Sequence, residues 1–249
     1  MNGTIGLTSV EGFGFYDSQD STEKSKIPAI YFENNGANGY YTTIKAGAFW
    51  SASEGYANAE TSRMILKTIY LPNTITRIED NAFEGCYYLE NVQMPDTTQD
   101  GIGVTYIGSR AFDYTGRVQI ADGALSKLTY IGVSAFYKAG DGIYMSEVPK
   151  GLKTLNPWSF AYCGNVTIED FSTITSMGSN ALDTSNKYEI IDIILPTDLS
   201  QYSDNCFSNY AVGRINTITY IGGDYVEPDT LTRLGITASN PVTIEQVIE

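Results

Sequence analysis

One skeleton recurs along almost the whole of this 249-residue chain, and no other feature narrows the possible folds so far. An apolar residue is followed four and five places later by Ala-Phe, and a small residue stands three places after the Phe. Ile78…Ala82-Phe83…Cys86 shows it most plainly. Ile44…Ala48-Phe49…Ala52, Ile107…Ala111-Phe112…Thr115, Ile131…Ala135-Phe136…Ala139 and Leu155…Ser159-Phe160…Cys163 repeat it. Met177…Ala181-Leu182…Ser185 and Tyr202…Cys206-Phe207…Tyr210 are worn copies. Seven copies of one pattern define a repeat protein, in which each unit buries its apolar face only against its neighbours. Successive anchors (Phe49, Phe83, Phe112, Phe136, Phe160, Leu182, Phe207) are 34, 29, 24, 24, 22 and 25 residues apart. Most of these steps are too short for the common helix-pair units, which need about 33 residues or more.

The rest of each unit reads as strand. Ahead of the anchors lie apolar-x-x-apolar pairs: Tyr41/Ile44, Ile75/Ile78, Val104/Ile107, Leu128/Ile131, Leu152/Leu155, Ile174/Met177 and Leu199/Tyr202. After the anchor comes an alternating run, clearest at Leu66-x-x-Ile69-x-Leu71-Pro72, Leu89-x-x-Val92-x-Met94-Pro95 and Ile190-x-x-Ile193-x-Leu195-Pro196. Period two marks a strand with one face in the core, and proline ends it. The anchor itself is expected on a single helical turn, because Asp80, Ser109, Ser179 and Asp204 stand where an N-cap would. Asn156-Pro157 fits a cap followed by proline at the first helical position. Gly108, Gly132 and Gly178 are expected to let the chain turn sharply out of a strand. The Ala must be small because the next coil lies directly against it. The Phe fills the coil's centre, where burial contributes about 1.5–3 kcal/mol at each site.

In these residues the chain resembles the BspA-like subclass of leucine-rich repeats, whose unit reads roughly apolar-x-x-Ile-Gly-x-x-Ala-Phe-x-x-Cys-x-x-Leu-x-x-Ile-x-Ile-Pro. Ile-Gly-x-x-Ala-Phe is intact at Ile107–Phe112 and Ile131–Phe136, and Ala-Phe-x-x-Cys at Ala82–Cys86. Leu-x-x-apolar-x-apolar-Pro is intact at 66–72 and 89–95. The resemblance covers about residues 40 to 222. It implies a repeat solenoid of the leucine-rich-repeat type, with stacked parallel β-strands and short helical turns, as in surface proteins of bacteria, some protists and some bacteriophages. It carries over no catalytic residues.

Residues 1–40 read as an N-terminal cap, 41–222 as the array and 223–249 as a C-terminal cap, since the end coils of a solenoid expose apolar faces and edge amides. In the first segment Ile5, Leu7, Val10, Phe13 and Phe15 read as a strand pair, and Ile27–Phe32 as a second apolar run. Ile215-x-x-Ile218-x-Tyr220 reads as the start of an eighth unit that lacks its Ala-Phe. Insertions at Trp50–Glu60 and Asp96–Gly103 lengthen the first two units and are expected to form loops on one face.

Composition closes off several classes. A net charge of −14 argues against nucleic acid, whose phosphates need clustered Lys and Arg. No apolar run approaches the roughly 18–20 residues that span a bilayer, so no membrane insertion is expected. The chain has no histidine, which removes Ser-His-Asp and Cys-His catalysis and histidine zinc sites. Its three cysteines fall in register with small residues: Cys86 and Cys163 three after Phe, Cys206 in the place of Ala. They therefore read as core residues rather than metal or redox groups. No calcium loop and no Gly-rich phosphate loop is present, so neither a cofactor nor an enzymatic activity is expected. Met1–Leu7 lacks the basic start and apolar core of a secretory signal. The expected location is the cell surface or the medium if a signal has been removed, and otherwise a virion or the cytoplasm.

Two outward rows are the candidate binding residues. One lies on the strand after each anchor: Thr68, Tyr70, Asn91, Gln93 and Gln119, extended with negative charge by Glu147, Glu169 and Asp192. That charge should favour a neutral or basic partner. The other precedes the anchor, where Thr-Tyr recurs with Tyr106, Tyr130 and Tyr220. Tyrosine gives a recognition surface large contact area at little entropy cost. Two functional readings follow, both non-enzymatic. The first is an adhesin-like module that binds a protein or glycan partner. The second is a structural component of a larger assembly, such as a phage fibre or decoration protein.

Overall fold

The computed structural model describes residues 9–10, 29–31, 42–50, 66–95, 97, 103–115, 118–120, 123–140, 142–144, 148–163, 166–183, 191–196, 198–208, 215–221, 228–236 and 243–247. Through them the chain winds as a parallel β-solenoid whose coils have three sides. Elements are numbered along the chain. The first side is a sheet of β1 (Ser9–Val10), β3 (Thr43–Ile44), β5 (Arg77–Ile78), β7 (Tyr106–Ile107) and β9 (Tyr130–Ile131), in that order. The pair β11 (Thr154–Leu155) and β13 (Ser176–Met177) continues it, with Met177 bridged to Tyr202. Ile44, Ile78, Ile107 and Ile131 share one register line and are fully buried.

On another side, β2 (Ala29–Tyr31), β4 (Thr68–Tyr70), β6 (Asn91–Gln93), β8 (Gln119–Ile120), β10 (Gly142–Tyr144) and β12 (Val166–Thr167) form a six-stranded sheet. A separate sheet of β14 (Ile191–Pro196), β15 (Ile215–Ile221) and β16 (Thr243–Val247) follows, and α1 (Pro228–Leu234) lies between its last two strands in sequence. Every pairing is parallel, as it must be when each strand returns to the same side after one circuit. β1 and β2 pair onto β3 and β4, so residues before 40 supply a strand to each side. Of the expected strand pair Ile5, Leu7, Phe13 and Phe15 lie outside the described residues, as does the Trp50–Glu60 insertion after Trp50.

The remaining side carries the anchors. Phe49, Phe83, Phe112, Phe136 and Phe160 are fully buried, with successive ring centres 5.0, 5.1, 5.0 and 5.4 Å apart and planes within 10° of parallel. Five coils are thus threaded on one column of stacked rings. Leu182 ends the column. Phe207 instead meets Phe171 edge-on at 5.2 Å and Tyr202 at 6.3 Å.

The anchors are not helical turns, contrary to the expectation from their caps. The N–H groups of Ala82, Glu84 and Cys86 close tight turns onto Glu79, Asn81 and Phe83 (3.3, 3.2 and 3.1 Å). The alternate N–H groups of Asn81, Phe83 and Gly85 donate to the next coil, at Ser109, Ala111 and Asp113 (2.9, 2.7 and 2.8 Å). A helix would direct all of these donors along its own axis and leave the coils unjoined. The turns require left-handed backbone at the residue before the small one: Gly47, Asn81, Arg110, Ser134, Trp158, Asn180 and Asn205 all have φ between 54° and 65°. The supposed caps act between coils. Asp80 accepts the N–H of Ser109 (2.8 Å), and the Asn156 amide donates to Ile131 O (2.7 Å).

Gly108 and Gly132 also have a different reason from the one expected. A Cβ on Gly108 would sit 2.3 Å from Asp80 Oδ1, and one on Gly132 would sit 2.3 Å from Ser109 N. Close approach of adjacent coils, not a turn, excludes a side chain there.

A second correction concerns residues 215–221. β15 aligns Ile218 with Ile193 and Tyr220 with Leu195, so this is the strand after the seventh anchor and not the start of an eighth unit. α1 takes the next anchor's place, with Phe207 N–H donating to Leu234 O and Asn205 N–H to Arg233 O (both 2.9 Å).

Candidate binding surfaces

Between coils, β4 and β6 bring the first predicted row together. Thr68 faces Asn91 and Tyr70 faces Gln93 across the ladder, and Gln119 lies on the Thr68–Asn91 line. Asn91 and Gln93 are exposed, Thr68 and Tyr70 half-buried. The acidic extension does not join them. Gly142 follows Gln119 on its register line, and Glu147 lies outside the described residues. Glu169 and Asp192 are both exposed, but β12 and β14 belong to different sheets, which among the described residues are joined by one bridge, Asp170 to Ile194.

The Tyr106 and Tyr130 rings of the second row stack at 4.6 Å and 7°, and the Arg77 guanidinium lies 3.5 Å from the centre of Tyr106. All three occupy one register line of the first side. Arg77 also meets Glu79 at 3.4 Å. Burial, then the Asp80 carboxylate, raises the Tyr106 phenol above its usual range, with Arg77 opposing. The recurring Thr has a structural use, since Thr105 Oγ1 donates to Thr76 O (3.1 Å) and Thr129 Oγ1 to Thr105 O (2.9 Å). Tyr220 does not belong here. It is 2% exposed, because its alignment with Leu195 turns it into the core.

A third surface escaped the sequence reading. The residues two after Phe112, Phe136 and Phe160 are Tyr114, Lys138 and Tyr162, each in left-handed backbone (φ 55°, 52° and 56°). Their N–H groups bond successive coils, at Tyr137, Ala161 and Asp183. The three side chains therefore form one row on the turn ridge. Lys138 Nζ lies 4.8 Å from the ring centre of Tyr114, 5.5 Å from Tyr137 and 5.8 Å from Tyr162, and donates to the Tyr114 hydroxyl at 3.1 Å. Tyr137 meets Tyr162 edge-on (5.3 Å, 88°), and Trp158 lies 6.1 Å from Tyr137 and 6.2 Å from Tyr162. The signal was present: Tyr114, Tyr137, Trp158 and Tyr162 all flank anchors of three consecutive units.

Asp113 lies beside this row and is 6% exposed, and its Oδ1 has no hydrogen-bond partner among the described residues. Burial first, then the nearby Glu84, raises its carboxyl to about 7, against the pull of Arg110 and Lys138. Arg110 reaches both acids, at 3.9 Å from each. The three cysteines are buried and form no disulfide, and two of them stitch coils: Cys86 Sγ donates to Phe49 O (3.0 Å) and Cys163 Sγ to Phe136 O (2.7 Å). Burial pushes the Cys86 thiol far up and the Cys206 thiol to about 12, so neither supplies a thiolate near neutral pH.

No curated protein matches the chain. Among solved structures it is similar to a leucine-rich repeat protein from Bacteroides ovatus, at 14% identity and a TM-score of 0.36, over 99% of this chain and 74% of that one. The description "BspA type Leucine rich repeat region" matches in six copies over residues 61–141 and 129–240, well over half the length. The cross-coil amides, the ring column and this match agree, and the chain belongs to the BspA-type leucine-rich repeat family.

Proposed function

We propose that the chain is a non-enzymatic recognition module that binds a protein or glycan partner at a cell surface. The observation that carries this reading is a division of labour within the coil. Buried anchors and cross-coil amides join the units, while Tyr106 and Tyr130 stack on the first side and Tyr70, Asn91 and Gln93 line another, outside the ring column. Hydrogen-bonding and aromatic groups held on a rigid sheet lose little entropy on binding. The purified chain should therefore bind a member of a panel of extracellular-matrix proteins and arrayed glycans. Tyr70→Glu with Gln93→Glu, or Tyr106→Ala with Tyr130→Ala, should weaken that binding and leave the melting temperature within a few degrees. A chain that binds nothing in the panel, or binds equally well after both pairs of changes, contradicts the reading.

A further inference from the structure

We propose that the turn ridge of the third to fifth coils is a binding site for a neutral saccharide, with Tyr114, Tyr137, Trp158 and Tyr162 as its ring platform and Asp113 and Lys138 as its polar contacts. This deepens the recognition reading above and rests on it.

The backbone supplies the first argument. Left-handed conformation is unfavourable for bulky side chains and easy for Gly and Asn. Among the described residues elsewhere on the ridge these positions hold Gly47, Asn81, Gly85, Asn180 and Asn205. In three consecutive coils they hold Arg110, Tyr114, Ser134, Lys138, Trp158 and Tyr162 instead. Large side chains are thus kept where the chain conformation disfavours them, and four of the six converge on one patch.

Ring geometry supplies the second. Tyr106 and Tyr130 turn their faces to each other at 7°, whereas the ridge rings meet at 33°, 53°, 61° and 88°. Such contacts do not pair the rings face to face, and Tyr162 remains 49% exposed. The C–H face of a pyranose stacks on such rings, and its hydroxyls need acceptors and donors at the rim. Beside the row Asp113 Oδ1 is a buried acceptor with no hydrogen-bond partner among the described residues, and the Lys138 ammonium, which donates to the Tyr114 hydroxyl, is the donor. Anchor rings advance by 5.0 Å from Phe112 to Phe136 and 5.4 Å to Phe160, close to the length of one sugar ring in an extended glycan.

Charge selects the class of ligand. A cationic ligand would be repelled by the Lys138 ammonium, which lies among the rings. A polyanion would meet a chain of net charge −14. A neutral, hydroxyl-rich chain meets neither obstacle.

The test is affinity electrophoresis of the full chain through gels containing a soluble β-glucan, xylan, galactomannan or starch, with alginate as the anionic control. Titration calorimetry with the matching hexasaccharide gives the affinity. At least one neutral polysaccharide should retard the chain. Trp158→Ala and Tyr162→Ala should each weaken binding about tenfold, as expected for losing one desolvated aromatic contact. Tyr162→Phe, which keeps the ring, and Trp50→Ala on the first coil should bind like the parent. Trp50→Phe leaves Trp158 as the sole tryptophan, so the saccharide should shift its emission, a readout independent of any loss of fold. Retardation by alginate alone, by no polysaccharide, or unchanged by both ring deletions overturns the proposal. If protein binding through Tyr70 and Gln93 survives that result, only the ridge proposal falls; a chain that binds nothing loses both readings.

Discussion

The first five coils and the last two are joined in different ways. From Phe49 to Phe160 the strands are two or three residues long, and a continuous column of stacked rings runs through the centre. From Leu182 onward the column is gone, but β14, β15 and β16 are 6, 7 and 5 residues long. Short ladders suffice where identical rings stack, because each parallel-displaced pair adds about 0.5–1.5 kcal/mol beyond its burial. Where a leucine interrupts the stack, longer backbone pairing takes over. The two devices are alternative ways of joining one coil to the next.

The sharpest way to break this comparison is to remove one ring from each region. Phe136 is stacked on both faces, whereas Phe207 meets Phe171 edge-on and Tyr202 at a tilt. Phe136→Ala should destabilise toward the top of the range of about 3–5 kcal/mol for emptying an aromatic site, and Phe207→Ala by less. Denaturant unfolding measures both, and equal losses would remove the distinction. The converse change is Leu182→Phe. If the C-terminal coils have repacked around leucine, with Phe171 turned onto Phe207, the larger ring should overpack them and destabilise by about 1–3 kcal/mol. A gain in stability would show an interrupted column rather than a different core.

Asp113 gives a pH-dependent contrast, because it sits buried on the regular region beside Glu84, Arg110 and Lys138. Its folded pKa of about 7 lies above the ordinary 3.8, so its carboxyl favours the fold when protonated. That contribution is full below the ordinary value and is lost as pH rises through about 7. Asp113→Asn should therefore raise the melting temperature more at pH 8 than at pH 5, and a gain independent of pH would contradict the assignment.

The smallest effect concerns backbone alone. Ser134, in left-handed backbone at φ 56°, should tolerate Gly with a change within about 1 kcal/mol, since relief of the conformation offsets the added freedom of the unfolded chain. Ser134→Val at the same position should lose more. Asn180, in the irregular region, already carries a residue suited to this conformation, so Asn180→Gly should change less than Ser134→Gly.

The solenoid was legible because its signal is periodic: the buried Ile and Phe recur at fixed places and the structure aligns them on register lines. Two things were not. Cap-like residues such as Asp80 and Asn156 bond to a neighbouring coil, and a local pattern cannot distinguish that partner from the N–H of a helix. Tyr220 was misplaced because Thr-Tyr and the alternating strand look alike in isolation, and only pairing with Leu195 tells them apart. The ridge cluster went unread for a related reason. Tyr114, Lys138 and Tyr162 are 24 residues apart in sequence, and adjacency comes from the coil rise.

Native-state hydrogen exchange tests the central claim most directly, that the ring column makes the first five coils the rigid platform on which the ridge stands. The N–H groups of Phe83, Phe112 and Phe136 donate across coils at 2.7, 2.8 and 2.8 Å, and those of Leu182 and Phe207 do so at 2.9 Å. The bonds are of one kind, so a difference in protection reports what surrounds them. The amides of Phe83, Phe112 and Phe136 should exchange only through global unfolding, and those of Leu182 and Phe207 measurably faster. Protection that is equal in both regions, or greater at Leu182 and Phe207, would show that strand length and not the ring column holds the coils together.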